Sequence, residues 1–377
     1  MTRPLTSLVR PELLEIAPYV PGRTLEALLR EHSLDHVFKF ASNENPLGPS
    51  PRAIEAVRAA AANMHRYADA GAVRLREALA TKLGVTPAHV VPTCGSNEMI
   101  LLATQAFLRP GDEAVIHHPS FLMYPIAVRA AGGVPVLVKG ADWGIDLEGM
   151  LAAITPRTRM IFLCSPNNPT GDIVRAPELD AFLARVPDDV CVIIDEAYHE
   201  FAHDPAYPDA VRLVDALPHR PLIVLRTFSK AHALASLRIG YGVMRPELAS
   251  VFERIRQPFN ANGMAQEAAL ASLGDEAQIT RSVAANRDAM APLAEGLRAL
   301  GVHVRESHGN FLFCRFPVEC PPLCAVLERE GLIMRPLTAF GVDPHYSRIT
   351  VGLPGENARL LAALRTLLPA PATRTAN

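Results

Sequence analysis

The sequence predicts an α/β protein: a large domain with a mainly parallel sheet between helices, plus a smaller α+β C-terminal domain. Three observations carry that expectation. Apolar runs of about five residues, such as Val190–Ile194 and Leu222–Leu225, lack polar alternation, as strands buried on both faces do. Between residues 89 and 225 such runs alternate with helical segments, the pattern of parallel βαβ units. After roughly Pro258 longer helical stretches and scattered short strands replace it. At 377 residues the chain is also longer than one typical domain and suits two.

Taken in order, residues 1–45 read as an arm and a packing helix around Arg23–Arg30, preceded by Pro21-Gly22. Ala41–Ser50 is rich in turn formers. It is either a surface connection or, through Asn43, Glu44 and Asn45, the lining of a site. Pro51–Met64 and Arg74–Leu83 are helices. Strands are expected at His89–Val91, Glu113–His117, Val134–Val138, Met160–Cys164, Val190–Ile194 and Leu222–Leu225. Helices at Asn97–Leu108, Pro125–Ala131, Leu147–Ile154 and Pro177–Arg185 stand between them. These make 46–260 the large domain. Residues 261–377 form the small one, with helices at Ala265–Leu273, Ile279–Leu300, Pro321–Arg329 and Glu356–Leu368. Its short strands fall at Val302–Arg305, Phe311–Cys314, near Leu332–Arg335 and at Arg348–Val351.

Bulk properties narrow the function. A net charge of −2 makes no electrostatic case for nucleic acid or an anionic membrane. No apolar run approaches membrane-spanning length and no secretory h-region opens the chain, so a cytoplasmic protein is expected. The six cysteines form no Cys-x-x-Cys pair and read as reduced thiols, so no metal is expected.

In open α/β sheets ligands bind beyond the carboxyl ends of the strands, and the residues there form a set. Leu222–Leu225 leads through Arg226, Thr227 and Ser229 to Lys230, one of only four lysines (Lys39, Lys82, Lys139, Lys230) among 37 Lys and Arg. A lysine at the end of a buried strand can lose its charge by desolvation and attack a carbonyl. Pro92-Thr-Cys-Gly-Ser-Asn-Glu98 enters a helix, so Gly95, Ser96 and the first free N–H groups offer an anion nest or a simple cap. Ser165–Gly171 holds two side-chain amides in a proline-framed turn. Asp195 follows five apolar residues and is either a capping residue or an acid awaiting a positive partner. No G-x-G-x-x-G opens a helix and no Gly-Lys pair suggests a P-loop.

A nucleophilic lysine, a phosphate nest, a buried acid, amides and a tyrosine are what pyridoxal 5'-phosphate requires. Lys230 can condense with its aldehyde, and Asp195 can keep the ring nitrogen protonated. Tyr198 and Asn168 can hydrogen-bond the phenolic oxygen. Arg238, with Thr227 and Ser229, can complete the phosphate cup.

The chain here resembles the fold type I pyridoxal-phosphate aminotransferases, specifically the histidinol-phosphate aminotransferase family. The resemblance runs through Tyr19-Val-Pro-Gly22, Ser42–Gly48, Arg66-Tyr67, Gly95–Glu98, Pro119–Tyr124, Ser165–Gly171, Asp195–Phe201, Thr227–Gly240 and Arg348–Gly352. It implies a seven-stranded-type sheet in the large domain. It makes Lys230 the catalytic amine and proton carrier, pairs Asp195 with the ring nitrogen, and stacks Phe121 on the ring. Ser96, Asn97, Thr227, Ser229 and Arg238 then bind phosphate, with Tyr67 reaching in from a neighbouring subunit of a homodimer. Arg348 is implied to hold the substrate carboxylate and Arg335 a distal phosphate, with Tyr19 and Asn43 also at the substrate. The implied reaction is ping-pong transamination between glutamate/2-oxoglutarate and a second pair, histidinol phosphate and imidazole-acetol phosphate. Alternatives on the same fold are an aromatic or other amino-acid aminotransferase, or a phospho-amino-acid decarboxylase. A non-catalytic cofactor-binding regulatory module is the alternative of another class, but no basic DNA-binding extension accompanies it. Ser307-His-Gly-Asn310 departs from the family pattern, and Ser307 and His308 are expected near the substrate pocket.

Overall fold

The structure, a computed structural model, describes residues 5–18, 29–31, 34 and 36–369. Tyr19 and most of the helix expected around Arg23–Arg30 lie outside them. The first strand, β1 (Phe38–Lys39), is followed by seven that make one sheet: β2 (Val90–Thr93), β3 (Glu113–His118), β4 (Val134–Lys139), β5 (Thr158–Cys164), β6 (Cys191–Asp195), β7 (Leu222–Thr227) and β8 (Gly240–Val243). Their order is β2-β8-β7-β6-β5-β3-β4. All pairings are parallel except the two made by β8.

Both faces of this sheet are covered, which is why its strands read as unbroken apolar runs. In β6, Val192 and Ile194 enter the core on one face while Cys191 and Ile193 enter the core on the other. Leu222 and Val224 of β7 divide from Ile223 and Leu225 in the same way.

Strand β8 is the strand of this sheet that sequence reading missed, along with the helices Ala210–Ala216 and Pro246–Ile255. Gly240-Tyr-Gly-Val243 carries two glycines, which lower strand propensity. Packing requires them. A Cβ on Gly240 would lie 2.5 Å from the Ser96 nitrogen, and one on Gly242 2.9 Å from Met244 Cε. In register, Gly240 sits between Thr93 and Thr227, so β8 spaces the loop after β2 from the loop after β7 by a single strand.

The small domain contains β9 (His303–Val304), β10 (Phe311–Arg315), β11 (Leu332–Ile333), β12 (Arg335–Pro336) and β13 (Tyr346–Thr350). Four of these form an antiparallel sheet ordered β12-β13-β10-β9, and β1 pairs with β11 in parallel. Packing crosses the expected boundaries at both ends. Phe40 is buried in the small-domain core beside Ile349 and Leu360. The helix Gly263–Leu273 packs Ala265, Ala268 and Ala269 into the core of the large sheet, because its small residues let it lie close to the helix Pro51–Ala61. Among the described residues no helix is long and apolar enough to cross a membrane.

Candidate active site

The carboxyl ends of β2, β6 and β7 face a cavity of about 250 Å³. Lys230 lies on its wall, one residue past Ser229 and three past the end of β7. Its Nζ donates to the Ser42 carbonyl at 3.3 Å and stands 5.4 Å from the Tyr198 ring centroid. Burial, then the positive charges of Arg348 and Arg238, push its pKa down to about 7, against a smaller upward pull from Glu44 and Asp195. Near neutral pH a substantial fraction of this amine is therefore uncharged and nucleophilic. Capture of an aldehyde probe at Lys230, fixed by borohydride and located by peptide mapping, is expected to rise with pH through a midpoint of about 7. A midpoint near the ordinary lysine value of ~10.4 would contradict the assignment.

Asp195 ends β6, level with Cys164 and Leu225, and is 3% exposed. Its Oδ2 accepts from Tyr124 Oη at 2.7 Å and its Oδ1 from the Ala197 N–H at 3.0 Å. It is thus both a cap and a buried acid. Burial pushes its pKa up, while Tyr124, Ala197 and Lys230 pull it back. A cation facing Asp195 offsets that burial cost.

The anion end is built from two loops. Gly95 (φ +72°) precedes the helix Ser96–Phe107, whose first N–H groups and positive dipole end open toward the cavity. Gly95 does not line the cavity itself. A Cβ there would lie 2.6 Å from an Arg238 guanidinium nitrogen, so glycine lets Arg238 close over the nest. Arg238, in the left-handed region at φ +57°, is steadied by a 2.8 Å bond to the Ala235 carbonyl. Thr227 Oγ1 donates to Ser229 Oγ at 3.0 Å, and both line the cavity with Ser96 and Asn97. Asn97 Oδ1 is buried without a hydrogen-bond partner. Together these groups can hold a phosphate.

Across the cavity, Asn43 Nδ2 donates to Tyr198 Oη at 2.9 Å. Arg348 donates to Asn168 Oδ1 and to the Ala41 carbonyl. Arg335 and Arg348 stand directly opposite one another on β12 and β13, and both line the cavity. Two like charges so paired disfavour each other unless anions meet them. Phe121 lines the wall beside them, edge-on to Tyr124 at 5.7 Å.

Tyr67, implied to reach a neighbouring subunit's site, does not line this chain's own cavity, and two sequence expectations fall elsewhere. Tyr67 is 85% exposed and stacks on Phe259 with centroids 4.5 Å apart, away from Lys230. Ser307 packs against Gly171, where an added Cβ would lie 2.3 Å from Ser307 Oγ. His308 faces a different cavity, of about 640 Å³, so neither residue borders the site as expected. The backbone turns them away: the His308 N–H is tied to the Gly171 carbonyl at 2.9 Å. Sequence reading also missed Tyr124 as the partner of Asp195, and the buried ion pair of Glu196 with Arg226. No local pattern marks either, because the partners are 71 and 30 residues apart.

A family model described as aminotransferase class I and II matches residues 35–364. The chain belongs to that family. It is 44% identical over 365 residues to histidinol-phosphate aminotransferase 2 of Pseudomonas aeruginosa, covering 96% of this chain and 98% of that one. Its fold is similar to the crystal structure of histidinol-phosphate aminotransferase from Sinorhizobium meliloti in complex with pyridoxal-5'-phosphate. The TM-score there is 0.86 at 28% identity, over 96% of this chain and 98% of the other. It is also similar to aspartate aminotransferase from Thermus thermophilus with maleate, with TM-score 0.82, 25% identity, and 96% and 99% coverage. The fold type I architecture expected from sequence is the one this aminotransferase adopts.

Proposed function

We propose that this aminotransferase binds pyridoxal 5'-phosphate in the Lys230 cavity and exchanges an amino group between glutamate/2-oxoglutarate and histidinol phosphate/imidazole-acetol phosphate. The observation that carries this reading is one cavity with a low-pKa amine, a buried acid and an anion nest at one side, and two register-paired arginines at the other. The full-length likeness to the Pseudomonas enzyme supports the substrate pair.

The cofactor, when bound, supplies an aldehyde and a protonated ring that withdraws electrons from the substrate Cα. The residues do the rest. Asp195, held by Tyr124, keeps the ring-nitrogen proton in place. Phe121 would pack on the ring face, while Tyr198 and Asn168 would hydrogen-bond the phenolic oxygen; all three line the cavity. Ser96, Asn97, Thr227, Ser229 and Arg238 hold the phosphate, and Gly95 makes room for them. With the cofactor bound, Lys230 Nζ would take the proton from the substrate Cα and deliver it to the cofactor's former aldehyde carbon, across the nitrogen that joins the two. Arg348 binds the amino acid carboxylate, for which a planar guanidinium suits two parallel hydrogen bonds. Arg335 binds the distal phosphate, with Asn43 supporting Tyr198.

We further infer a homodimer in which Tyr67 and Tyr19 serve the neighbouring site. The exposed Tyr67–Phe259 stack, which none of the described residues covers, supports it. A cytoplasmic setting is supported by six free cysteines, all in the described residues.

Single-turnover half-reactions on the holoenzyme test the substrate. Histidinol phosphate is expected to convert the cofactor to its amine form with the highest kcat/KM, against phenylalanine and threonine phosphate. Equal conversion by phenylalanine would remove the phosphate-binding role of Arg335, and carbon dioxide release from a phospho-amino acid would replace transamination by decarboxylation.

A further inference from the structure

His203 lies in the loop after the short 3-10 turn His199–Phe201 of the large domain, and Glu306 and His308 lie between β9 and β10 of the small one. Folding brings one ring nitrogen from each histidine and a Glu306 carboxylate oxygen within 4.8 Å of one another. The two imidazoles are neighbours, with centroids 4.5 Å apart and ring planes tilted by 30°. His203 and Glu306 are exposed, so an ion could enter from solvent, whereas His308 is only 7% exposed.

A second observation is independent of the clustering. His308 Nδ1 is buried with no hydrogen-bond partner. Buried polar nitrogens are ordinarily satisfied, so an orphan one beside two other donor groups needs an explanation. His203 is prepared as a ligand: the Phe201 carbonyl, 3.4 Å from its Nδ1, favours the tautomer that leaves Nε2 with its lone pair. The surrounding charge suits a cation. Arg175 is matched by Asp204 at 2.9 Å and Arg305 by Asp172 at 2.8 Å. Glu306 therefore adds negative charge that neither arginine cancels.

We propose that His203, Glu306 and His308 form a divalent transition-metal site, with Zn²⁺ the ion that two imidazoles and one carboxylate fit best and water completing the tetrahedron. Three protein ligands plus an open position match that ion's usual coordination. Oxygen-preferring Mg²⁺ and Ca²⁺ are disfavoured by the two imidazoles. Cysteine spacing could not reveal such a site, since its ligands come from two domains. An ion there would brace the domains together. Because the His308 N–H also donates to the Gly171 carbonyl, it would steady the turn that presents Asn168 to Arg348.

The test is titration of the untagged full-length holoenzyme with Co²⁺, followed by its visible d–d absorption, and then displacement by Zn²⁺. One tetrahedral Co²⁺ per chain is expected, displaced stoichiometrically by Zn²⁺. His203→Asn and Glu306→Gln, both surface changes, are each expected to weaken binding at least ~10-fold while leaving metal-free transamination unchanged. Saturating Zn²⁺ should raise the unfolding midpoint of the parent chain and not that of His203→Asn. Absence of a saturable band, or equal affinity in His203→Asn and the parent, would overturn the site.

Discussion

Lys230→Ala is expected to lower kcat by at least ~10³-fold while the protein still folds, because the proposed mechanism gives this one amine both cofactor capture and proton transfer at Cα. No other lysine can replace it. Lys39 is paired with Glu44 at 2.9 Å, Lys82 with Glu276 on the surface at 3.0 Å, and Lys139 sits over the Trp143 ring. Lys230→Arg is expected to fail as well, since a guanidinium stays protonated and cannot act as the nucleophile. Stopped-flow absorbance of the half-reaction with glutamate measures the effect, with circular dichroism as the control for folding. A small primary amine in the buffer should restore part of the proton transfer in Lys230→Ala. Retention of turnover within ~10-fold of the parent would move the catalytic amine elsewhere.

Arg226→Met is expected to destabilise the chain by about 3–5 kcal/mol, the usual consequence of leaving a buried charge without its partner. Arg226 Nε and Nη2 each stand 2.8 Å from Glu196 Oε2, and both buried residues are chain neighbours of the cavity-lining Asp195 and Thr227. Burial pushes the Glu196 pKa up, while Arg226 pulls it down. With Arg226 gone, the folded-state pKa of Glu196 rises further above its unfolded value. The deficit is therefore smallest well below the unfolded glutamate value of ~4.3, where Glu196 is protonated in both states, and grows as pH rises through and above it. The double variant Arg226→Met with Glu196→Gln should recover much of the loss. Urea unfolding of the single and double variants between pH 5 and 8 measures this. A single variant as stable as the parent at pH 8 would show that Asp209, 3.7 Å from Arg226, or solvent already governs Glu196.

The gathering of Lys230 and Asp195 at one cavity was legible because each follows an apolar run. Lys230 comes after Leu222–Leu225 and Asp195 after Val190–Ile194, and a parallel sheet delivers all such ends to one edge. Ser96 and Asn97 were legible for a related reason, since a helix start after a strand exposes free N–H groups whatever packs behind it. Ser307 and His308 show the converse. They depart from the family pattern near a site segment, yet the tie to Gly171 turns them into a separate cavity.

By itself, then, the order of residues determined the parallel sheet, the set of groups at its carboxyl edge and the lysine among them, since strand period and burial act over a few neighbours. Tertiary structure alone decided the rest. It inserted glycine-rich β8, gave Asp195 to Tyr124 and Glu196 to Arg226, set Arg335 opposite Arg348, and brought His203 to His308. Those pairings join residues far apart along the chain. Their energies come from desolvation and close approach in the packed state, and no local pattern records which distant partner will be there.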